Sequence, residues 1–173
     1  MISEAESRKL LNTPEIVGYE VYNCLVSSTS QMLYYLKEQK KVTTANILSI
    51  LRGALNYPLE EACYREHIRV HDISFLSSER VFEKEEIAGL EIKYSKLTMV
   101  PDSTLMIGDI IASGETLIHC LRYVTDFYRD HGARSVISLF LQSAEPRESI
   151  SLRSLLQRSV NSGRSSKLYH CLL

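Results

Sequence analysis

The residues of this chain best suited to chemistry stand close together, between positions 109 and 116. Asp109 carries a carboxylate that can accept hydrogen bonds from sugar hydroxyls or hold a hydrated Mg²⁺. Ser113 and Thr116 can donate hydroxyl protons to a phosphate, and Gly114 lets the backbone approach a ligand closely. These residue types at this spacing predict a binding site for a phosphate group.

A strand, a turn and a helix must position these residues. Leu105 to Ile111 is a short, Ile-rich run that is apolar except for Gly108 and Asp109, which is typical of a buried parallel strand. After Ala112-Ser-Gly114, apolar residues return at helical spacing at Leu117, Cys120, Leu121, Val124, Phe127 and Tyr128. The turn therefore precedes a helix N-terminus, where unpaired N–H groups and the helix dipole favour an anion. An ordinary strand-to-helix turn with a serine cap is the alternative interpretation.

A second strand, turn and helix are predicted earlier in the chain. Ala45 to Leu51 is typical of a buried strand, and it ends abruptly at Arg52-Gly-Ala54. Pro58 stands where a helix can begin, and the helical pattern continues at Leu59, Ala62 and Cys63. Ligands of open α/β sheets bind outside the carboxyl ends of the strands, so we expect the two turns to form one site.

The segment Gly108-Asp-Ile-Ile-Ala-Ser-Gly-Glu-Thr116 resembles the phosphoribosyl pyrophosphate (PRPP) motif of the type I phosphoribosyltransferases, and eight of its nine positions fit. Gly108 is the departure, because it replaces the first acidic residue of that motif. The resemblance implies that Asp109 binds the ribose hydroxyls. It also implies that the 5′-phosphate is held by the backbone N–H groups and hydroxyls of Ala112, Ser113, Gly114, Glu115 and Thr116.

The segment Ile50-Leu-Arg-Gly-Ala-Leu55 is similar to the pyrophosphate loop of the same family. The resemblance implies that pyrophosphate is bound by Arg52, Gly53 and Ala54, and it makes Asp109 and Arg52 the catalytic candidates. It further implies Mg²⁺ as a cofactor, held mainly through PRPP. An exposed arginine at a strand end is the alternative interpretation of Arg52.

Residues 65–86 stand where the family carries a flexible loop that closes over PRPP and excludes water. The resemblance implies pyrophosphate contacts from Arg65, His67 and Arg69, with His71 as a further candidate. Charges of both signs mix here with scattered apolar residues, so a solvated strand or hairpin is the alternative.

The whole pattern predicts one α/β domain over residues 1–173, with its core at about 45–141. We expect a helix over 16–39, an antiparallel or edge strand over 89–100, a strand over 135–141 and a short helix ending near 160. Residues 168–173 are compatible with a last strand or a loose tail. With the resemblance, this implies a mostly parallel central sheet flanked by helices, the Rossmann-type fold of type I phosphoribosyltransferases.

Composition narrows the class of protein. The net charge of −1 excludes a nucleic-acid binder driven by bulk charge, and no apolar run approaches the length needed to cross a membrane. Cys24, Cys63, Cys120 and Cys171 form no CxxC pair, which favours reduced thiols. The first nine residues are charged and mixed in sign, unlike a secretory signal, so we expect a cytoplasmic protein.

Three functional hypotheses follow from these residues and the resemblance. The first is a transferase that moves the phosphoribosyl group of PRPP to a nucleobase-type acceptor, and the family resemblance adds a homodimer. The second is a non-catalytic protein that senses PRPP or a nucleotide, which Gly108 favours. The third is an unrelated phosphate-binding α/β module.

Overall fold

Alternating apolar runs and amphipathic segments produce a layered structure, seen in a computed structural model that describes residues 13–51, 56–83, 86–100, 103–111, 115–132, 136–143 and 167–172. Three helices are described: α1 (Tyr19–Lys40), α2 (Asn56–Arg65) and α3 (Glu115–Asp130). The described strands are β1 (Thr44–Ile50), β2 (Arg69–Glu83), β3 (Glu86–Lys96), β4 (Thr104–Ile111), β5 (Val136–Ser143) and β6 (Lys167–Leu172).

The six described strands form one sheet in the order β3-β2-β1-β4-β5-β6. Only the β2–β3 pair is antiparallel; β1 is parallel to both β2 and β4, and β4–β5 and β5–β6 are parallel as well. The prediction of an α/β fold with a mostly parallel central sheet flanked by helices is confirmed.

Successive side chains of the central strands point to opposite faces of the sheet, so apolar side chains lie on both faces. Ile47 and Met106 pack on one face against α1 and α2, in a cluster with Met32, Leu33, Leu36, Leu59, Ala62 and Cys63. Leu48 and Ile107 pack on the other face against α3, in a cluster with Leu76, Leu105, Leu117, Cys120, Leu121, Val124 and Tyr128. The central strands β1 and β4 are therefore covered on both sides.

The ends of the helices follow local sequence signals. Pro58 lies in the first turn of α2, where its missing N–H costs no hydrogen bond. After α3, Gly132 takes a φ of 66° and donates its N–H to the Arg129 carbonyl, as a glycine at a helix end commonly does. These signals determine where α2 begins and where α3 ends.

Most of the predicted elements are confirmed. The helix over 16–39 is α1, the strand over 45–51 is β1, and the edge strand over 89–100 is β3. The ambiguous segment 65–86 becomes the end of α2 and the 15-residue strand β2, and residues 168–173 contribute the strand β6. The short helix expected to end near 160 lies outside the described residues.

Two findings bear on the class of protein. None of the helices in the described ranges is long and apolar enough to cross a membrane. Among the described residues, Cys24 and Cys63 are not in disulfides.

Candidate functional site

The carboxyl ends of β1 and β4 define the candidate site. These strands are parallel neighbours, and the chain continues outward from β1 to β2 and from β4 to β5 in opposite directions. Such a reversal of strand order opens a crevice at the carboxyl ends, where α/β sheets bind ligands. The described strand ends that precede the two predicted turns therefore border the same crevice.

The described residues border the two turns without including them. Arg52, Gly53 and Ala54 lie outside the described residues, as do Ala112, Ser113 and Gly114. Leu51, directly before the first turn, is exposed and donates its N–H to the Leu76 carbonyl over 2.8 Å. Assignment of the remaining turn residues to phosphate and pyrophosphate stays a prediction.

Asp109 belongs to the carboxyl half of β4. Its backbone is in register with Leu141 of β5, and on the other side Leu48 of β1 pairs with Ile107. Ile50 and Asp109 are each two residues further along their strands, so they lie at the same level of the sheet. The Asp109 position is therefore central in the sheet and level with the end of β1.

The helix that follows the second turn begins with two predicted site residues. Glu115 is exposed and Thr116 is partly buried in the first turn of α3. The first-turn N–H groups of a helix have no partners within it, and the helix dipole is positive there. Because the buried stripe from Leu117 to Tyr128 fixes α3 against the sheet, Thr116 is held on a rigid element beside the second turn.

A long hairpin projects beyond the crevice. Leu76 pairs with Ile50 at the end of β1, but β2 continues from Ser77 to Glu83, paired throughout with β3. At about 3.3 Å per residue this extension reaches roughly 23 Å past the end of β1. Tyr123 of α3 shares a 3.0 Å hydrogen bond with Ser95, which ties the base of the hairpin to the helix.

Arg65, His67 and Arg69, predicted to lie in a flexible loop over the site, occupy the opposite end of the sheet. Arg65 is the last residue of α2, where its Nε donates to Glu61 Oε1 over 2.8 Å. His67 is in the following turn, and Arg69 pairs with Thr44 at the amino end of β1. The length of β1, about 20 Å, separates them from the turns, so the fold does not bring the two sets together.

Arg80, an exposed cation in the outer half of the hairpin, was not among the predicted site residues. Arg80 is four residues after Leu76 in β2, so the two side chains are on the same face of the strand. Leu76 packs in the cluster that contains residues of α3. Arg80 therefore lies on the face of the sheet that is covered by α3, the helix that contains Thr116. Period-two alternation of Ile73, Phe75 and Val81 favours the strand, which the sequence left open as the alternative to a flexible loop.

A hydrogen-bonded network holds the β3–β4 connection against the central strands. Asn46 Nδ2 donates to the Thr98 carbonyl over 2.8 Å, and the Thr98 N–H donates to Ser74 Oγ over 3.0 Å. The pKa of Asp72 is lowered mainly by a hydrogen bond from the Thr98 side chain and secondly by one from the Ile73 N–H. Since Asn46 and Asp72 are paired in the amino half of the sheet, this network supports β4 from the end away from the site.

The buried thiols offer no nucleophile to the site. Burial, and secondarily the charge of Glu60, raises the pKa of Cys63 to about 12, and its Sγ lies 3.9 Å from Met106 Sδ in the core. Within the described ranges no three His, Cys, Asp or Glu side chains form a group that could hold a metal ion. A Mg²⁺ ion bound through substrate oxygens, water and at most one or two carboxylates requires no such group.

No protein-family model matches this chain, and no curated protein matches it in sequence. Solved structures do match. The hypoxanthine-guanine phosphoribosyl transferase of L. donovani aligns with a TM-score of 0.59 at 14% identity, over 78% of this chain and 76% of that one. A hypoxanthine phosphoribosyl transferase of Trypanosoma cruzi aligns with a TM-score of 0.54 at 13% identity, over 75% and 69% of the two chains.

These matches establish the fold. The chain has the α/β fold of the type I phosphoribosyltransferases, as its resemblance to the PRPP motif predicts. At 13–14% identity the structural likeness does not by itself carry activity or substrate from those proteins to this chain.

Proposed function

We propose that this protein binds PRPP with Mg²⁺ and transfers its 5-phosphoribosyl group to a nucleobase-type acceptor, releasing pyrophosphate. The observation that carries the proposal is that the segment resembling the PRPP motif runs from the end of the central strand β4 to the first turn of α3, in a chain with the phosphoribosyltransferase fold. A phosphate bound there would meet unpaired N–H groups and the positive end of a 16-residue helix.

The residues divide the work of binding. Asp109 would accept hydrogen bonds from the ribose hydroxyls, while Ala112 to Thr116 would hold the 5′-phosphate. Arg52, with Gly53 and Ala54, would bind pyrophosphate from the neighbouring strand end. Arg65, His67 and Arg69 have no part in this proposal, because they lie at the other end of the sheet.

The chemistry requires position and charge stabilisation more than a nucleophilic side chain. The bond between the ribose C1 and the pyrophosphate oxygen breaks, a bond from C1 to a ring nitrogen of the acceptor forms, and the proton lost by the acceptor passes to pyrophosphate or water. Positive charge develops on the ribose as at other glycosidic centres, so carboxylates near the ring and cations near the leaving group lower the barrier. When bound, Mg²⁺ would neutralise charge on the departing pyrophosphate.

The hairpin of β2 and β3 is proposed as the cover of the site. It extends past the ends of the central strands on the side where Arg80 shares a face with α3. Excluding water matters here, because water competes with the acceptor for the ribosyl cation. We therefore assign to the hairpin the covering role that the family resemblance implied for a flexible loop over residues 65–86.

The second candidate is a sensor that binds PRPP or a nucleotide without turning it over. Gly108 favours it, because glycine brings no carboxylate to the position before Asp109. A cytoplasmic location fits either function and is motivated by the free thiols.

The test is binding followed by turnover. Calorimetry should detect PRPP binding in the presence of Mg²⁺, and incubation of PRPP with a panel of purine and pyrimidine bases should release pyrophosphate and form a nucleotide. Binding without turnover of any base would favour the sensor. Absence of PRPP binding would refute both functions and favour an unrelated phosphate-binding module.

A further inference from the structure

Two buried polar atoms lie where the hairpin of β2 and β3 meets α3. Ser78 Oγ of β2 and His119 Nε2 of α3 are both shielded from solvent, and neither has a hydrogen-bond partner within the part of the chain that the structure describes. A buried donor or acceptor without a partner is costly, because it has lost its hydrogen bonds to water. Two such atoms on elements that contact each other point to a ligand that supplies the missing partners.

Ser78 and His119 lie at the same level, just past the end of β1. Tyr123 of α3 shares a 3.0 Å hydrogen bond with Ser95, which is paired with Leu76 in β2. Because α3 connects the parallel strands β4 and β5, it runs opposite to them, and His119 is one turn, about 6 Å, from Tyr123 towards the carboxyl ends of the strands. Ser78 is two residues, about 7 Å, beyond Leu76 in the same direction.

Four side chains define a wedge between the hairpin and α3: Ser78, Arg80, Ile92 and His119. Ser78 and Arg80 follow Leu76 at alternate positions of β2, so they share the hairpin face that α3 covers. Ile92 is paired with Ser78 across the hairpin and is partly buried against the same apolar cluster. An apolar wall with a few convergent polar groups is the usual composition of a small-molecule site.

The wedge adjoins the candidate PRPP site. Thr116, proposed to bind the 5′-phosphate, is three residues before His119 on α3. Leu76, two residues before Ser78, is in register with Ile50 at the end of β1. A phosphoribosyl group bound at the carboxyl ends of β1 and β4 would therefore have the wedge on its β2 side.

We propose that the wedge binds the acceptor of the transfer reaction, a flat ring with a carbonyl beside an N–H, and that Ser78 and His119 select it. This inference rests on the function proposed above and adds the residues that contact the acceptor. A serine hydroxyl both donates and accepts, and a neutral imidazole nitrogen does one or the other according to its tautomer, so the pair can bind a C=O and an N–H. Arg80 carries only donors, which favours a carbonyl over an amino group on that ring.

Binding of free bases to the whole protein tests the wedge separately from PRPP. Uracil, hypoxanthine and adenine are titrated by ligand-observed NMR, each alone and with magnesium pyrophosphate. Uracil or hypoxanthine should bind more tightly than adenine, in which an amino group and a bare ring nitrogen replace the carbonyl and the N–H. Ser78→Ala and His119→Leu should each weaken that binding about tenfold, and His119→Gln, which keeps a polar group, should weaken it less.

Thermal unfolding distinguishes a role in binding from a structural role. Ser78→Ala and His119→Leu each remove a buried polar group without a partner, so neither should lower the unfolding temperature, whereas loss of a structural hydrogen bond would. Ser77→Ala, at the next position on the opposite face of β2, and His131→Leu, just past the far end of α3, are the matched controls. Both controls should bind the bases as the native protein does.

The outcomes separate this inference from the proposed function. Absence of base binding, tightest binding of adenine, or native base affinity in both Ser78→Ala and His119→Leu would overturn the wedge as the acceptor site, even where PRPP binds. Weaker base binding in both variants would support the wedge even where PRPP is not turned over. In an active protein, the same variants should raise the KM for the base about tenfold and leave the KM for PRPP within about twofold.

Discussion

Leu48 of β1 and Ile107 of β4 are direct neighbours in parallel register at the centre of the sheet. From β1 the chain continues to β2 on one side, and from β4 it continues to β5 on the other. A crevice therefore opens between the carboxyl ends of β1 and β4. Both side chains are fully buried and pack against α3, which makes the floor of the crevice rigid. Changes in the turns above it should therefore alter ligand binding more than stability.

Asp109→Asn should weaken PRPP binding by about 10–100-fold, because a neutral amide replaces a charged acceptor of ribose hydroxyls. Calorimetry with Mg²⁺ present measures the change. Asp126→Asn is the matched control, since Asp126 is an exposed carboxylate of α3 whose partner is Arg129. Native affinity in Asp109→Asn would remove the ribose assignment.

Thr116→Ala should lower PRPP affinity about fivefold to tenfold through loss of one hydrogen bond to the 5′-phosphate. Thr125→Ala on the same helix is its control, because the Thr125 hydroxyl donates to the Leu121 carbonyl over 2.7 Å within α3. Thermal unfolding of both variants separates stability from binding. Equal affinities in the two variants would count against the phosphate role of Thr116.

How much of the secondary structure can be predicted from the sequence depends on how clear the hydrophobic pattern of each segment is. The change from an Ile-rich run to helical spacing after Ile111 identifies β4 and α3, because a buried parallel strand and an amphipathic helix have distinct periods. In β2, charges on an exposed hairpin conceal the strand. Sequence order also cannot tell which end of the sheet Arg69 occupies until the parallel pairing of β1 and β2 is known.

The candidate site likewise contains residues that the sequence predicts and residues that only the structure reveals. Asp109 and Thr116 were predicted from the motif, and the topology brings their segment to the crevice beside the end of β1. The position of Arg80 beyond the sheet end depends on the length of the hairpin, which is set by long-range pairing of β2 with β3. Local patterns do not encode such pairing strongly.

Cys63 should make stability depend on pH in the alkaline range. Its pKa is raised from 9.0 to about 12 in the folded chain, so its contribution is fully present below pH 9 and is lost as the pH rises towards 12. The unfolded thiol ionises first, and the loss is at most about 4 kcal/mol. Urea unfolding from pH 8 to 10.5 should show a steeper decline for the native protein than for Cys63→Ala. Parallel declines would contradict the assignment.

Asp72 should act in the acidic range with the opposite sign. Hydrogen bonds from Thr98 and the Ile73 N–H lower its pKa below 3.8, so its stabilisation is present above that value and is lost as the pH falls through the lowered pKa. Acid unfolding of the native protein should therefore begin at a lower pH than that of Asp72→Asn. A double-mutant cycle with Thr98→Val should show coupling between the two side chains, and additive effects would remove the proposed contact.

The hairpin offers a direct test of the proposed cover. Glu79 and Glu91 are paired across β2 and β3, so replacing residues 80–90 with Asn-Gly closes the strands with a tight turn and leaves the inner pairs intact. If the hairpin excludes water, PRPP binding should stay within about threefold of native, while transfer to a base falls about 100-fold and hydrolysis of PRPP increases. Chromatography of the nucleotide and ribose 5-phosphate products measures that ratio. An unchanged ratio in a variant with the native circular dichroism spectrum would show that another element covers the site.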